Sequence, residues 1–205
     1  GCITSIGTLY GGANKADVDG DILLNVTSGR YRRVFGGNNR SGVISGKIVV
    51  NIEETGCHPI VIGELYGCGN QAPYTTPANT PDPVINIKSF TSIGNVFGGG
   101  LGEPAKVTGN TNVNVNEVLG VNNNGEVEEG SYAYDIDYYD GDGNFKGWTI
   151  NFHEDAEHPD DITSTVKVPA HTKGTIGAIG TIYGGGNAAA VEGNTNVNIG
   201  TEETV

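Results

Sequence analysis

Ile179–Ile199 reads IGTIYGGGNAAAVEGNTNVNI, and this stretch recurs, with losses, four more times in the 205 residues. Ile6–Val26 reads IGTLYGGANKADVDGDILLNV, and Tyr31–Ile52 reads YRRVFGGNNRSGVISGKIVVNI. Ile62–Ile87 opens IGELYGCGN, makes a Pro-rich detour and closes PVINI. Ile93–Val115 reads IGNVFGGGLGEPAKVTGNTNVNV. Each copy carries an apolar residue, an aromatic (Tyr10, Phe35, Tyr66, Phe97, Tyr183) and a glycine turn. Each closes on a short segment with an Asn at one fixed place (Asn25, Asn51, Asn86, Asn114, Asn198). The first four aromatics lie 25, 31 and 31 residues apart (10 to 35, 35 to 66, 66 to 97). A period in this range marks a solenoid, a propeller or an array.

The closing segments show where the strands lie. Ile22, Leu24 and Val26 alternate with Leu23 and Asn25, and Ile48, Val50 and Ile52 repeat the pattern. Period-two alternation is that of a half-buried strand, so the aliphatic set faces a core and the Asn set faces out. A second short strand is predicted before a Gly turn, at Val18, Ile44, Val107 and Val191. A third carries Leu9, Val34, Leu65, Val96 and Ile182. There Ile6 and Leu9 both read as buried although they are three apart, which predicts a bulge near Gly7. The alternation leaves the direction of the aromatics open.

Three short strands per repeat, joined by glycine turns, describe one coil of a parallel β-solenoid. One coil buries five or six aliphatics at about 1.5–3 kcal/mol each. Ordering its backbone costs about 1–2 kcal/mol per residue. Stacking is therefore required, and three or more coils make the fold viable. The expected fold is all-β, a parallel β-solenoid (β-helix) of about five coils with an inserted subdomain. A propeller blade would need about four antiparallel strands in roughly 40 residues, more than these repeats hold. The domain reading is coils one to four in 1–117, an insertion in 118–173 and coil five in 174–205. Gln71–Pro83, with its four prolines, is read as a loop projecting from the third coil. In the insertion, strand-like runs flank Gly141-Asp142-Gly143-Asn144, which reads as a β-hairpin.

The net charge of −13 opposes attraction to nucleic acid or an anionic membrane. No apolar run is long enough to span a bilayer, which argues against membrane insertion. No signal peptide is visible and Met is absent, so the chain reads as a processed product or a segment of something longer. Cys2, Cys57 and Cys68 cannot all pair within one molecule, although Cys57 and Cys68 could, and no C-x-x-C suggests zinc. Cys68 stands where Gly12, Gly37, Gly99 and Gly185 stand in the other repeats, so it reads as a small residue filling a turn.

Few residues suggest chemistry. Asp17, Asp19 and Asp21 form D-x-D-x-D, a spacing that suits calcium. Their aligned positions elsewhere hold Ser45, Lys47, Asn110 and Asn194, so polar turn positions are the preferred reading. Asp140, Asp142 and Asn144 begin like an EF-hand loop, but Phe145 and Asn151 occupy the places of its Gly and Glu. His153 to Asp161 is acidic and lacks H-E-x-x-H spacing, and it reads as a solvated loop. Parallel β-helices also carry polysaccharide lyases and hydrolases. These need convergent carboxylates, or a base with a cation, on one strand face. The outward positions here are mostly Asn, Thr, Leu and Val, with Arg30, Arg32, Arg33 and Arg40 grouped in one repeat. The Asn column reads as an amide ladder along the stack, with Asn112 and Asn196 beginning a second. A flat amide face for glycan or ice is the rival reading.

The repeat YGGGN…V-x-GNT-x-V-x-I resembles the glycine-rich β-helical repeats of large bacterial surface proteins, adhesin-like and often from gut anaerobes. The resemblance spans the repeats and leaves out the insertion. It implies secretion to the cell surface, a rigid stalk-like shape and an adhesive or scaffolding role, and it supplies no catalytic residues. The functional expectation is a non-catalytic extracellular structural protein. The alternative is a glycan-active enzyme or glycan-binding module. No cofactor is expected. Neither end of the sequence carries a polar or helical cap, so further coils of a longer chain, or copies stacked head to tail into a filament, are expected. Cys2 stands near the N-terminal edge of such a junction. Tyr138, Tyr139 and Trp148 of the insertion are the expected contact surface, for host or microbial glycans or another partner.

Overall fold

A computed structural model describes residues 4–54, 59–117, 133–139, 141–153, 162–169 and 177–201. Among them the secondary structure is all β, with no helix. The first repeat gives β1 (Ser5–Tyr10) and β2 (Ile22–Val26), and the second gives β3 (Gly29–Phe35) and β4 (Ile48–Glu53). The third gives β5 (Ile60–Tyr66), β6 (Tyr74–Thr75) and β7 (Val84–Ser89). The fourth gives β8 (Ser92–Phe97), β9 (Val107–Thr108) and β10 (Thr111–Glu117). Then come β11 (Ala133–Tyr139), β12 (Phe145–His153) and β13 (Ile162–Pro169). The last repeat gives β14 (Ala178–Tyr183), β15 (Val191–Glu192) and β16 (Thr195–Thr201).

The repeats pair with one another in sequence order. One sheet runs β1-β3-β5-β8-β14, and a second runs β2-β4-β7-β10-β16. A third runs β6-β9-β15, and a parallel bridge between Val18 and Ile44 places the same pairing in the first two repeats. The first and third sheets are parallel throughout. In the second, β2-β4, β4-β7 and β7-β10 are parallel pairs. The chain divides into two compact units, Gly1–Asn116 with Gly177–Ile199, and Glu117–Ile176 with Gly200–Val205.

The core lies where the alternation puts it. Ile22, Val26, Ile48, Val50, Ile52, Ile85, Ile87 and Val113 are buried in one apolar cluster with Val34, Leu65 and Val96 of the first sheet. Leu23 and Asn25 are exposed. Each such aliphatic contributes about 1.5–3 kcal/mol by leaving water. That gain arises only when a neighbouring repeat covers it, so the sheets and the core form together.

Two sequence expectations need correction. The ladder does skip Gly7, passing from Ile6↔Tyr31 to Thr8↔Arg33, but no extra residue is inserted. Arg32, Gly63, Gly94 and Gly180 are skipped in the same way. The interruption falls at the same residue of every strand, and Ile62 and Leu65 are both buried with the register intact. A bulge changes register on one strand; a shared interruption does not.

The second correction concerns Gln71–Pro83. Ala72 and Tyr74 are buried, and Tyr74–Thr75 is a strand paired with Val107–Thr108. The Tyr74 and Thr76 amides donate to the carbonyls of Lys106 and Thr108 at 3.0 and 2.9 Å. A strand turns alternate amides to one neighbour, and Pro73 and Pro77 occupy the other parity, where no donor to that neighbour is lost. Tyr74 thus takes the core place held by Val18, Ile44, Val107 and Val191. Only the part of the segment beyond β6 leaves the sheet.

In the second unit, β11, β12 and β13 form a three-stranded antiparallel sheet. The hairpin between β11 and β12 turns at Gly141–Asn144, with Gly143 at φ 81°. Glycine reaches that left-handed region without steric cost.

Candidate functional site

The closing asparagines stand in one file. Asn51 Nδ2 donates to Asn25 Oδ1 at 2.9 Å, and Asn86 donates to Asn51 at 3.0 Å. Asn114 donates to Asn86 at 3.0 Å, and Asn198 donates to Asn114 at 2.9 Å. Asn196 to Asn112, at 2.9 Å, is a second file beside the first. The register aligns Asn25 with Asn51, Asn51 with Asn86, and Asn86 with Asn114, so each amide meets its neighbour without side-chain rearrangement.

The aromatics leave the main core and build a cluster of their own with Leu101 packed against it. Tyr10, Phe35, Tyr66, Phe97 and Tyr183 stack face to face, with centroids 5.1, 4.6, 4.8 and 4.9 Å apart and planes within 10°. The strand spacing of about 4.8 Å sets this distance. Tyrosine and phenylalanine alternate along the stack, and the turn asparagines explain why. Asn70 donates to the Tyr10 hydroxyl at 3.3 Å, and Asn187 donates to the Tyr66 hydroxyl at 3.2 Å. Each reaches a ring two repeats earlier. The corresponding turn residue two repeats after Phe35 is Leu101, an apolar residue facing a ring with no hydroxyl. Burial pushes the Tyr66 phenol up, the Glu64 charge adds to this, and the Asn187 bond opposes it.

The turn asparagine of YGGGN forms a further file that the repeat alone does not announce. Asn39 donates to Asn14 at 2.7 Å, and Asn70 donates to Asn39 at 2.8 Å. Asn38 is the other residue missed in the sequence. It is buried; its Oδ1 accepts from the Ala13 amide at 2.7 Å and its Nδ2 donates to the Gly42 carbonyl at 3.0 Å. The signal was its position, since Ala13, Gly69, Gly100 and Gly186 hold that turn place in the other repeats. A longer side chain there had to fit inside.

The three turn aspartates do not converge. Asp17 accepts from the Val43 amide at 2.7 Å, Asp19 from the Ser45 hydroxyl at 2.9 Å and Asp21 from the Lys47 amide at 2.9 Å. Each carboxylate caps a separate group of the next repeat. Among the described residues no group of three His, Cys, Asp or Glu side chains is placed to hold a metal ion. Arg33 bonds Glu64 at 2.5 Å across neighbouring strands, and Lys106 bonds Glu192 at 2.6 Å. Both are partly exposed pairs, worth at most about 1 kcal/mol each.

Cys68 is a free, fully buried thiol whose Sγ faces the Gly98 carbonyl at 3.9 Å. Cys2 and Cys57 lie outside the described residues, as do Asp140 and the acidic segment 154–161. In the second unit the register sets Tyr138 opposite Gly147, Trp148 opposite Asp137 and Tyr139 opposite Phe145. Tyr139 is exposed. Comparison with protein-family models, with curated proteins and with solved structures returned no match.

The third repeat concentrates groups that resist ionisation. Burial pushes Cys68 from 9.0 to about 12 and Tyr74 from 10.0 to about 12. Tyr74 also donates to the Gly46 carbonyl at 3.0 Å. Both folded values lie above the unfolded ones, so this stability is complete below pH 9 and is lost as pH rises towards about 12. The melting temperature is expected to hold to about pH 9 and then fall steeply. In Tyr74→Phe the alkaline fall should be shallower, although the variant starts lower for want of the hydrogen bond. A profile as steep as wild type would show that Tyr74 is not a source of the alkaline loss.

Proposed function

We propose that the three parallel sheets are the faces of a β-solenoid of about five coils. Its role is structural or adhesive and non-catalytic, in an extracellular protein of a bacterial cell surface. It extends end to end, through further coils of a longer chain or through copies of itself. The observation that carries this reading is the unbroken passage of the amide and aromatic files through all five repeats. The outward Asn position of the second sheet is occupied in every repeat by an amide that bonds to its own counterpart one repeat away. A glycan-cleaving site would need an acid and a base aimed at one bond. Arg33 and Glu64, on neighbouring strands, are instead opposite in sign and bonded to each other.

Tyr138, Tyr139 and Trp148 supply the contact surface in this proposal, because aromatic rings stack on sugars and insert into partners. Incubation with a panel of polysaccharides is expected to yield neither new reducing ends nor the absorbance of unsaturated uronates. Either product would overturn the non-catalytic reading in favour of a lyase or hydrolase. On a glycan or cell-binding array, deletion of 118–173 should abolish binding and leave the circular dichroism of the parallel sheets in place. Binding that survives the deletion would move the contact surface onto the repeats.

A further inference from the structure

Within the asparagine files every side-chain bond runs in one sense: the later repeat donates and the earlier one accepts. Asn110, beside the files, runs in the same sense and is fixed in it chemically. Its Nδ2 donates to the Asp82 carboxylate at 2.9 Å, and its Oδ1 accepts from the Asn194 amide at 2.7 Å. Neither bond survives reversal of the amide, because a carboxylate cannot donate and a backbone N–H cannot accept. Asn112 is held the same way round by the Pro83 carbonyl at 3.4 Å. The two ends of the array therefore differ. The first repeat turns the Nδ2 groups of Asn14 and Asn25 outward, and the last turns out the Oδ1 group of Asn198 in the file of Asn25; Asn196 stands in the column of Leu23.

Both ends are also less covered than the interior. Leu9, Val18 and Leu24 of the first repeat are only partly buried, whereas their second-repeat counterparts Val34, Ile44 and Val50 are buried. In the last repeat Tyr183 is 50% and Val197 40% exposed, against 7% for Phe97 and 0% for Val113. Between interior repeats the turn glycines record the close approach. A Cβ on Gly36, Gly67 or Gly98 would overlap the carbonyl oxygen of the equivalent glycine one repeat on. At Gly184 the nearest atoms are side-chain atoms of Thr195 and Val197. There the Thr195 Cβ, at 2.9 Å within the same repeat, already leaves no room for a side chain.

We propose that the last-repeat edge of this chain receives the first-repeat edge of a second copy, in parallel register, with the outward Asn25 donor of one copy meeting the outward Asn198 acceptor of the other. This rests on the end-to-end reading above and gives it a direction. A two-fold contact would set the same patch on itself. It would then face acceptor against acceptor, or donor against donor. Head-to-tail contact sets Asn25 of one copy against Asn198 of the next, lays Tyr183 on the next Tyr10 ring and covers Val197 and Ile199. Because such contacts do not close, the product is a polar filament.

Two variants separate the ends. Asn14→Asp with Asn25→Asp keeps the oxygens that accept from Asn39 and Asn51 but replaces the outward donors by charged acceptors. Ile199→Lys alters the other end at an exposed side chain. Sedimentation velocity over a range of concentrations, at about 0.15 M salt to screen the chain's negative charge, reads assembly, and circular dichroism confirms each fold. The wild type should grow beyond dimers, and each variant alone should bind itself at least tenfold more weakly. Their equimolar mixture should form dimers and stop there, since only one good head and one good tail remain. If the Asp variant dimerises alone and mixing adds nothing, the contact is symmetric and the polarity is overturned while stacking between copies stands. A wild type that stays monomeric throughout overturns the second copy as occupant. The non-catalytic reading is decided separately, by the polysaccharide assay.

Discussion

Gly67→Ala is expected to remove a large share of the stability of the repeat array, although it adds one methyl group. The added Cβ would overlap the Gly98 carbonyl oxygen, and that oxygen belongs to the backbone of the adjoining repeat. A side chain could rotate away; here the turn itself must move. The Gly67 amide already donates to the Phe97 carbonyl at 2.9 Å, so displacement also breaks the ladder. Overpacking typically costs about 1–3 kcal/mol and occasionally more. With no flexible group to absorb it, a loss of about 3 kcal/mol or more is expected, a large share of a marginal total. Gly185→Ala is the internal control, because its nearest atom is a Thr195 methyl at 4.0 Å. It should change stability by no more than about 0.5 kcal/mol. Urea unfolding of the two variants reads the contrast, and equal losses would show that the turn tolerates no alanine for reasons other than the carbonyl.

Tyr66→Ala should be comparably damaging, for a different reason. Tyr66 is fully buried, with rings on both sides at 4.6 and 4.8 Å. Truncating a buried aromatic costs about 3–5 kcal/mol, a figure that includes the loss of both stacks. Tyr183→Ala removes a half-exposed ring with one described ring neighbour and should cost about 1 kcal/mol. Tyr66→Phe keeps both stacks and loses the bonds with Asn187 and Glu64, at about 1–2 kcal/mol. Denaturant midpoints should fall in the order Tyr66→Ala, Tyr66→Phe, Tyr183→Ala, with the largest drop first. If Tyr183→Ala cost as much as Tyr66→Ala, a buried stack would not be the source of the effect.

The parallel sheets and the asparagine file were legible because both depend on residues that recur at one place in every repeat. Alternation around Asn25 or Asn51 assigns the inward set directly. The aromatic stack was legible as a recurrence but not as a direction, since the shared interruption at Gly7, Arg32, Gly63, Gly94 and Gly180 breaks period two three residues before each ring. Tyr74 was hidden by its prolines, whose parity matters and whose number does not. The roles of Asp17, Asp19 and Asp21 were hidden because their partners, Val43, Ser45 and Lys47, lie one repeat further along the chain. A motif read along the sequence saw three carboxylates close together. The fold sends each to its own donor.

Phe97 and Tyr183 are 86 residues apart in the chain (97 to 183), yet their rings stack at 4.9 Å and 8°, as closely as rings 31 residues apart. The entropy of closing the longer connection exceeds that of the shorter by only about 1 kcal/mol. Repeat-to-repeat fit is thus nearly blind to what is spliced between β10 and β14. A lineage carrying this array could exchange that segment for another, of different length and chemistry, in one genetic step. Each Asn, ring and glycine turn would keep its partner, so the surface could diversify rapidly on a framework held constant.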